Sequence, residues 1–171
     1  VLSAFQYYQN VQIQAGGVLT LQASQTGTNN FYVADSLILN GAQLRIQPLP
    51  GDEANCRVKV YVGNRLEIDN SVVNDGTTAA IAGSYALEFF AVGLGGPMSR
   101  TQIDIRNNSR VFALFAGNRA HLNVSNNSEV YGAAKVKTAT LENSRFFYDD
   151  AVNLGAVRPT LWGQLTWHLE G

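Results

Sequence analysis

A short motif recurs along the chain at an interval that favours a repetitive fold. Residues 103–111 read IDIRNNSRV and residues 122–130 read LNVSNNSEV, so the pattern returns after 19 residues. Alternating apolar and polar residues place one face of a β-strand against a core, because successive strand side chains point to opposite sides. The Asn-Ser pair then supplies a corner, since Asn tolerates left-handed backbone geometry. The motif therefore predicts stacked short strands.

Weaker copies of the motif extend the repeat along the chain. The second apolar residue of each copy serves as a marker, and the markers are Leu39, Ile68, Ile105, Val124 and Leu141. Their intervals are 29, 37, 19 and 17 residues, and the two long intervals contain predicted loops at 47–55, 74–84 and 91–100. Self-similarity of this kind indicates a repeat architecture. We predict an all-β, single-domain parallel β-helix, or β-solenoid, with loop insertions.

Stacked coils about 4.8 Å apart would align their side chains in columns. The expected interior columns are Leu37, Leu66, Ile103 and Leu122, and beside them the five markers. After each corner, Val111, Val130 and Phe146 form a column next to Phe112, Tyr131 and Phe147, and one of these two columns must face outward. A β-sandwich or jelly roll is the alternative, but it does not explain the recurring motif.

The predicted organisation has three parts. Residues 1–30 form an N-terminal strand that acts as a cap or an arm, residues 31–152 form the β-helix coils, and residues 153–171 form a C-terminal capping segment. A solenoid has two open ends, and soluble solenoids need caps. The ends are covered either by the chain's own terminal segments or by a neighbouring molecule, which could also accept an N-terminal strand by strand addition.

Composition excludes several classes of function. Charged residues make up only 15% of the chain, against about 25% in typical soluble domains, so Asn, Gln, Ser and Thr must cover much of the surface. The net charge of −1 offers no basic excess for nucleic acid. No run of about 18 apolar residues predicts a membrane-spanning helix. No signal peptide is seen at the start, and the chain begins at Val1, so an upstream signal or anchor stays open.

Residues that could carry chemistry are few. Cys56 is the single cysteine, so we expect no intrachain disulfide and assign it to the core. His121 and His168 have no metal-binding spacing. We predict no catalytic residue and no cofactor.

Three aspartates are weak candidates for calcium. Asp149 and Asp150 are adjacent, and Asp75 lies in an Asn-Asp-Gly turn. Neighbouring carboxylates on a strand point to opposite faces, which is poor geometry for paired acid–base work. We therefore expect Asp149 to cap a turn and Asp150 to be solvated.

Aromatic residues are the best sequence signal for binding. They cluster near both termini and in the column after the corner, and the interaction candidates are Phe5, Tyr7, Tyr8, Phe112, Tyr131, Phe147, Trp162 and Trp167. A stack of exposed aromatic rings would form a contact surface.

Residues 108–152 resemble the C-terminal β-helical domain of unknown function found in type IV pilus PilX-type and related bacterial surface proteins. The resemblance is carried by Val130-Tyr131-Gly132-Ala133, by Thr140-Leu141, by Tyr148-Asp149 before Ala151-Val152, and in the preceding coil by Phe112, Phe115, Ala116, Asn118 and Ala120. Upstream it continues through Tyr32, Ser36, Leu37, Leu39, Asn40 and Gly41. The chain departs from the pattern at Ala113, where a Gly is expected, and it lacks a pilin-type hydrophobic helix.

The resemblance implies a secreted or surface-exposed module associated with adhesion or fibre assembly, without catalytic residues. We therefore predict a non-enzymatic extracellular or cell-surface structural module of a pilus, filament or surface assembly. Its partners would be copies of itself or other surface or pilus subunits. One alternative is a carbohydrate-binding or polysaccharide-degrading β-helix, with glycans as partners. Another is a filament subunit similar to the cytoskeletal bactofilins, which share the Gly-x-Val-x-Ala-x-x-Val rhythm.

Overall fold

A computed structural model describes residues 1–75, 86–93 and 100–148. This part of the chain forms β-strands and no α-helix, which confirms the all-β prediction. The strands are β1 (Leu2–Ser3), β2 (Tyr7–Ile13), β3 (Val18–Gln22), β4 (Thr28–Asn40), β5 (Gln43–Gln47), β6 (Arg57–Val62), β7 (Arg65–Asp69), β8 (Val72–Val73), β9 (Leu87–Ala91), β10 (Gln102–Arg106), β11 (Arg110–Ser125), β12 (Glu129–Glu142) and β13 (Arg145–Tyr148).

Every strand pair in these ranges is parallel, and the pairs form three ladders. The first ladder joins β1, β3, β5, β8, β11, β12 and β13. The second joins the starts of β2 and β4 to β6, β9 and the middle parts of β11 and β12. The third joins the ends of β2 and β4 to β7, β10 and the ends of β11 and β12.

Long strands connect the ladders into a closed core. Because β4 and β11 each belong to more than one ladder, the six strands β4, β6, β9, β11, β10 and β7 form a closed ring of parallel pairs. The remaining strands join this core through β2 on β4 and through β8 and β12 on β11. The antiparallel pairing of a jelly roll is not found among the strands described here. The predicted boundary after residue 30 falls inside β4.

The interior columns lie where the motif predicts them. Leu37 pairs with Leu66, Leu66 with Ile103, and Ile103 with Leu122. These four side chains are at most 2% exposed. The five markers are neighbours in the same way, and Ile105 lies directly beside Val124. Each fully buried aliphatic side chain contributes roughly 1.5–3 kcal/mol, so these columns supply much of the driving force for folding. Cys56 is also buried, as predicted.

The corners contain asparagines in left-handed conformation, also as predicted. Asn107 and Asn108 have φ of 58° and 63°, and Asn126 and Asn127 have φ of 56° and 61°. The Asn126 Nδ2 group donates to Asn107 Oδ1 at 3.0 Å, and Asn127 Nδ2 donates to Asn108 Oδ1 at 2.9 Å. In the corner after Asn40, Gly41 takes the left-handed position instead, with φ of 62°.

A column of serines runs inside the corners. The backbone N–H of Ser71 donates to Ser109 Oγ at 3.1 Å, and the N–H of Ser109 donates to Ser128 Oγ at 3.2 Å. The Ser109 hydroxyl donates in turn to the Arg106 carbonyl at 2.6 Å. Ser71, Ser109 and Ser128 are at most 1% exposed. The serines therefore satisfy backbone groups that the left-handed corner removes from the ladders.

Replacing Ser109 by Ala tests this column. The substitution leaves the buried N–H of Ser71 without its acceptor, and an unsatisfied buried group costs about 1–3 kcal/mol. We expect a loss of that size in the free energy of unfolding, measured by chemical denaturation. Thr140→Ala, at an exposed strand position, is the control and should change stability by less than about 0.5 kcal/mol. Equal losses in the two variants would contradict the role given to the serine.

Candidate interaction surfaces

The predicted aromatic column faces outward. Phe112, Tyr131 and Phe147 stack with ring centroids 4.5 and 4.7 Å apart, while the neighbouring Val111 and Val130 are fully buried. The guanidinium of Arg110 lies 5.1 Å from the Phe112 centroid and 5.5 Å from that of Tyr131. We call these three rings the C-terminal aromatic column.

A second aromatic column lies on the second ladder, and Tyr7 is its only member among the predicted interaction residues. Tyr7, Tyr32 and Tyr61 stack at 4.6 and 5.1 Å, and Phe90 follows at 5.4 Å from Tyr61. These four residues form the N-terminal aromatic column and occupy equivalent positions in β2, β4, β6 and β9. The signal was present in the sequence, because Tyr32, Tyr61 and Phe90 follow one another at intervals of 29 residues.

Stacking limits what the two columns can bind. Since each ring covers the face of the next, mainly ring edges are left for contact along the columns. Free faces occur at column ends, where Tyr7 is 78% exposed and Phe147 is 39% exposed. A sugar ring packs on an aromatic face, so the middle of each column is a poor glycan platform.

The other predicted residues lie apart from these columns. Phe5 is 44% exposed, at a turn where its φ is 60°. Tyr8 packs against the core, and its hydroxyl accepts from the N–H of Ser3 at 3.0 Å. Trp162 and Trp167, the calcium candidates Asp149 and Asp150, and the capping segment 153–171 lie outside the described residues.

Charged side chains on the outer face of the third ladder pair with one another. Glu67 bonds to Arg65 and, at 2.5 Å, to Arg106, which also reaches Asp69 at 2.8 Å. The hydrogen bond that Arg106 donates to the Asp69 carboxylate raises the pKa of Arg106. This cluster was not predicted, although it follows from the marker alignment, because Glu67 and Asp69 flank Ile68 and Arg106 follows Ile105. Where the structure describes the chain, Asp75 included, no three His, Cys, Asp or Glu side chains are grouped to hold a metal.

His121 lies on the same face, beside Thr138. Its Nδ1 is 2.5 Å from Thr138 Oγ1, and its Nε2 is buried with no partner among the described residues. Burial lowers the pKa of His121, and the positive charges of Arg100 and Lys137 lower it further. Both effects disfavour the imidazolium in the folded protein.

The two ends of the described structure differ. At the N-terminal end, Leu2, Ala4 and Val11 are at most 8% exposed, and Tyr8 packs beside them. At the C-terminal end, an open apolar cavity of about 130 Å³ exposes the core layer. We call it the C-terminal opening, and its lining includes Leu122, Ala133, Ala134, Ala139, Leu141 and Phe146.

Comparison of the chain with protein-family models, curated proteins and solved structures found no significant match. The described residues contain no apolar helix of membrane-spanning length.

Substitutions of Tyr131 test whether the C-terminal aromatic column stabilises the fold. Each stacked pair contributes roughly 0.5–1.5 kcal/mol, so Tyr131→Ala should lower the free energy of unfolding by about 1–3 kcal/mol. Tyr131→Phe keeps both stacks and loses the 2.9 Å hydrogen bond to Glu129. It should cost less than about 0.5 kcal/mol. If both variants are equally stable in chemical denaturation, the stack has no structural role.

The lowered pKa of His121 predicts that the free energy of unfolding falls in acid. Because its folded pKa lies below the unfolded value, the unfolded state binds the proton more readily, and stability falls as the pH drops below about 6.5. His121→Gln should therefore flatten the decline in unfolding free energy between about pH 7 and pH 5. Above about pH 7 both proteins carry an uncharged side chain and should show parallel curves. Parallel curves over the acidic range as well would rule out this contribution.

Proposed function

We propose that the strands wind as a parallel β-helix and that the protein is a non-enzymatic structural module of an extracellular assembly. The order of pairing supports the winding. The chain visits the first, second and third ladders in turn, as in β5, β6 and β7 and again in β8, β9 and β10. In this interpretation the closed ring of six strands arises because β4 and β11 each continue around a corner.

The observation that carries the functional proposal is the N-terminal edge, formed by β1 and β2. Among the described strands, β2 pairs only with β4, so its other edge presents unpaired backbone groups. Exposed edges are usually protected by charged side chains or proline. Residues 1–34 contain no Asp, Glu, Lys, Arg, His or Pro. An edge without such protection is suited to pairing with another chain.

Strand addition is the contact that this edge favours. The core behind it is already closed by Leu2, Ala4 and Tyr8, so a partner has no apolar cavity to fill there. Main-chain hydrogen bonds would give the affinity, and exposed Gln9 and Gln12 would flank the new pair. The exposed face of Tyr7 adds an aromatic contact at the same end. The module would thus join a neighbouring subunit of a pilus, filament or surface structure.

Cell-surface localisation rests on the resemblance to PilX-type β-helical domains, together with the low content of charged residues. A bactofilin-like filament inside the cell would use the same edge. An export signal in the full-length gene product would separate these two settings. Carbohydrate binding finds less support, because the rings cover one another and Glu67 and Asp69 are paired with arginines. Strong glycan-array binding would reverse that preference.

A double substitution at the N-terminal edge tests the proposal. Gln9→Lys with Gln12→Lys adds like charges where two chains would meet, and such contacts cost several kcal/mol. We expect the unmodified protein to associate, and the variant to associate at least about tenfold more weakly, since about 1.4 kcal/mol is a factor of ten. Sedimentation velocity measures the change, and electron microscopy shows whether fibres form.

The control places the same charges away from the edge. Gln47→Lys with Gln102→Lys adds two lysines at exposed positions of β5 and β10, which have partners on both sides. This variant should associate as the unmodified protein does. An unmodified protein that stays monomeric and forms no fibres, alone or with candidate surface subunits, would refute the structural role.

A further inference from the structure

Phe5 adopts a strained backbone conformation at the N-terminal edge. Its φ of 60° lies in the left-handed region, which is unfavourable for a bulky side chain. The other described residues with positive φ are all Asn or Gly, the residue types that tolerate this geometry. The fold therefore holds an aromatic residue at a position that Asn or Gly would occupy with less strain.

Hydrogen bonds on both sides of Phe5 fix this turn. The N–H of Phe5 donates to the Asn30 carbonyl at 2.6 Å. The N–H of Tyr32 donates to the Gln6 carbonyl at 3.4 Å. The Phe5 ring is still 44% exposed, so burial within one chain offsets only part of the strain. Strained residues cluster at functional sites, including those that hold a ligand or a partner.

Phe5 belongs to a group of exposed apolar side chains at the same end of the molecule. The group also includes Tyr7 and Val18. Phe5 lies two residues before β2 and Tyr7 begins that strand, so both rings are next to its unpaired edge. Aromatic rings are enriched among the residues that carry most of the binding energy in protein interfaces. Phe5 and Tyr7 are therefore suited to anchor a partner that pairs with β2.

The same edge is compatible with a second copy of itself. A charged edge would repel an identical edge, but residues 1–34 contain no charged side chain. The exposed polar residues of β2 are Gln9, Asn10 and Gln12. An amide both donates and accepts hydrogen bonds, so identical amide side chains can pair with each other. The bond from Asn126 to Asn107 is such a pair within this molecule.

We propose that two copies of this chain pair through their N-terminal edges about a two-fold axis, with Phe5 of each copy packed on the other. An axis perpendicular to the sheet makes the two β2 strands antiparallel, so each copy both donates and accepts main-chain hydrogen bonds. Because the same patch is used on both copies, the assembly closes at two chains. This inference rests on the proposed function, since it names the partner of the edge described there.

Sedimentation equilibrium of the unmodified chain identifies the partner. We expect the mass to rise with protein concentration to that of a dimer and no further. Growth beyond the dimer, or association only with a different surface subunit, would overturn this inference and leave the structural role in place. A chain that associates neither with itself nor with candidate subunits would refute both.

Substitutions of Phe5 test its role as the anchor. Phe5→Asn keeps a residue that tolerates the left-handed backbone and removes the ring, so the dissociation constant of the dimer should rise at least about tenfold. The thermal midpoint of the dilute, monomeric variant should not fall, because strain is relieved. A lower midpoint with an unchanged dissociation constant would make Phe5 a packing residue only and would overturn the proposal.

Two further variants are the controls for this test. Phe5→Tyr retains the ring, and Val92→Asn removes an exposed apolar side chain after β9, which is not adjacent to β2. Both should leave the dissociation constant within about twofold of the unmodified value. Equal weakening of the dimer by Phe5→Asn and Val92→Asn would contradict an anchor at the N-terminal edge.

Discussion

In-register parallel pairing of the backbone is the constraint on which the rest of the structure depends. Parallel strands about 4.8 Å apart place equivalent residues of successive strands in contact. When the register is preserved, aliphatic side chains stack on aliphatic ones, rings on rings, and amides on amides. Ile105 beside Val124, Tyr131 beside Phe112, and Asn126 beside Asn107 are three results of one geometry. A shift by one residue would turn every interior side chain outward.

The sequence predicts those columns that its motif marks. Leu37, Leu66, Ile103 and Leu122 could be aligned because each precedes a recognisable corner. The N-terminal aromatic column could have been aligned in the same way, because Tyr32 and Tyr61 each stand seven residues before a marker, Leu39 and Ile68. Glu67 and Arg106 are 39 positions apart, but they flank the markers Ile68 and Ile105, so the same alignment brings them close. The serine column was hidden, since a corner Ser satisfies a backbone group that only three-dimensional stacking exposes.

The two ends of the described structure expose different groups. The N-terminal edge has a closed core and an open backbone, whereas the C-terminal opening has paired strands and an exposed core. The first suits pairing with another chain. If the proposed function holds, the N-terminal edge is the end through which the molecule associates. Such a module would attach to a partner or pair with a second copy through matching edges, and head-to-tail growth would need a further surface.

The serine column makes each corner depend on a residue that is synthesised later. The N–H of Ser71 is satisfied by a hydroxyl 38 residues later, that of Ser109 by one 19 residues later, and that of Ser128 by one 16 residues later. During synthesis from the N-terminus, the newest layer therefore always holds a donor whose acceptor has not yet left the ribosome. Each layer is completed only when its successor arrives, so a chain interrupted midway would carry an unsatisfied corner amide in addition to the unpaired edges of its last strands.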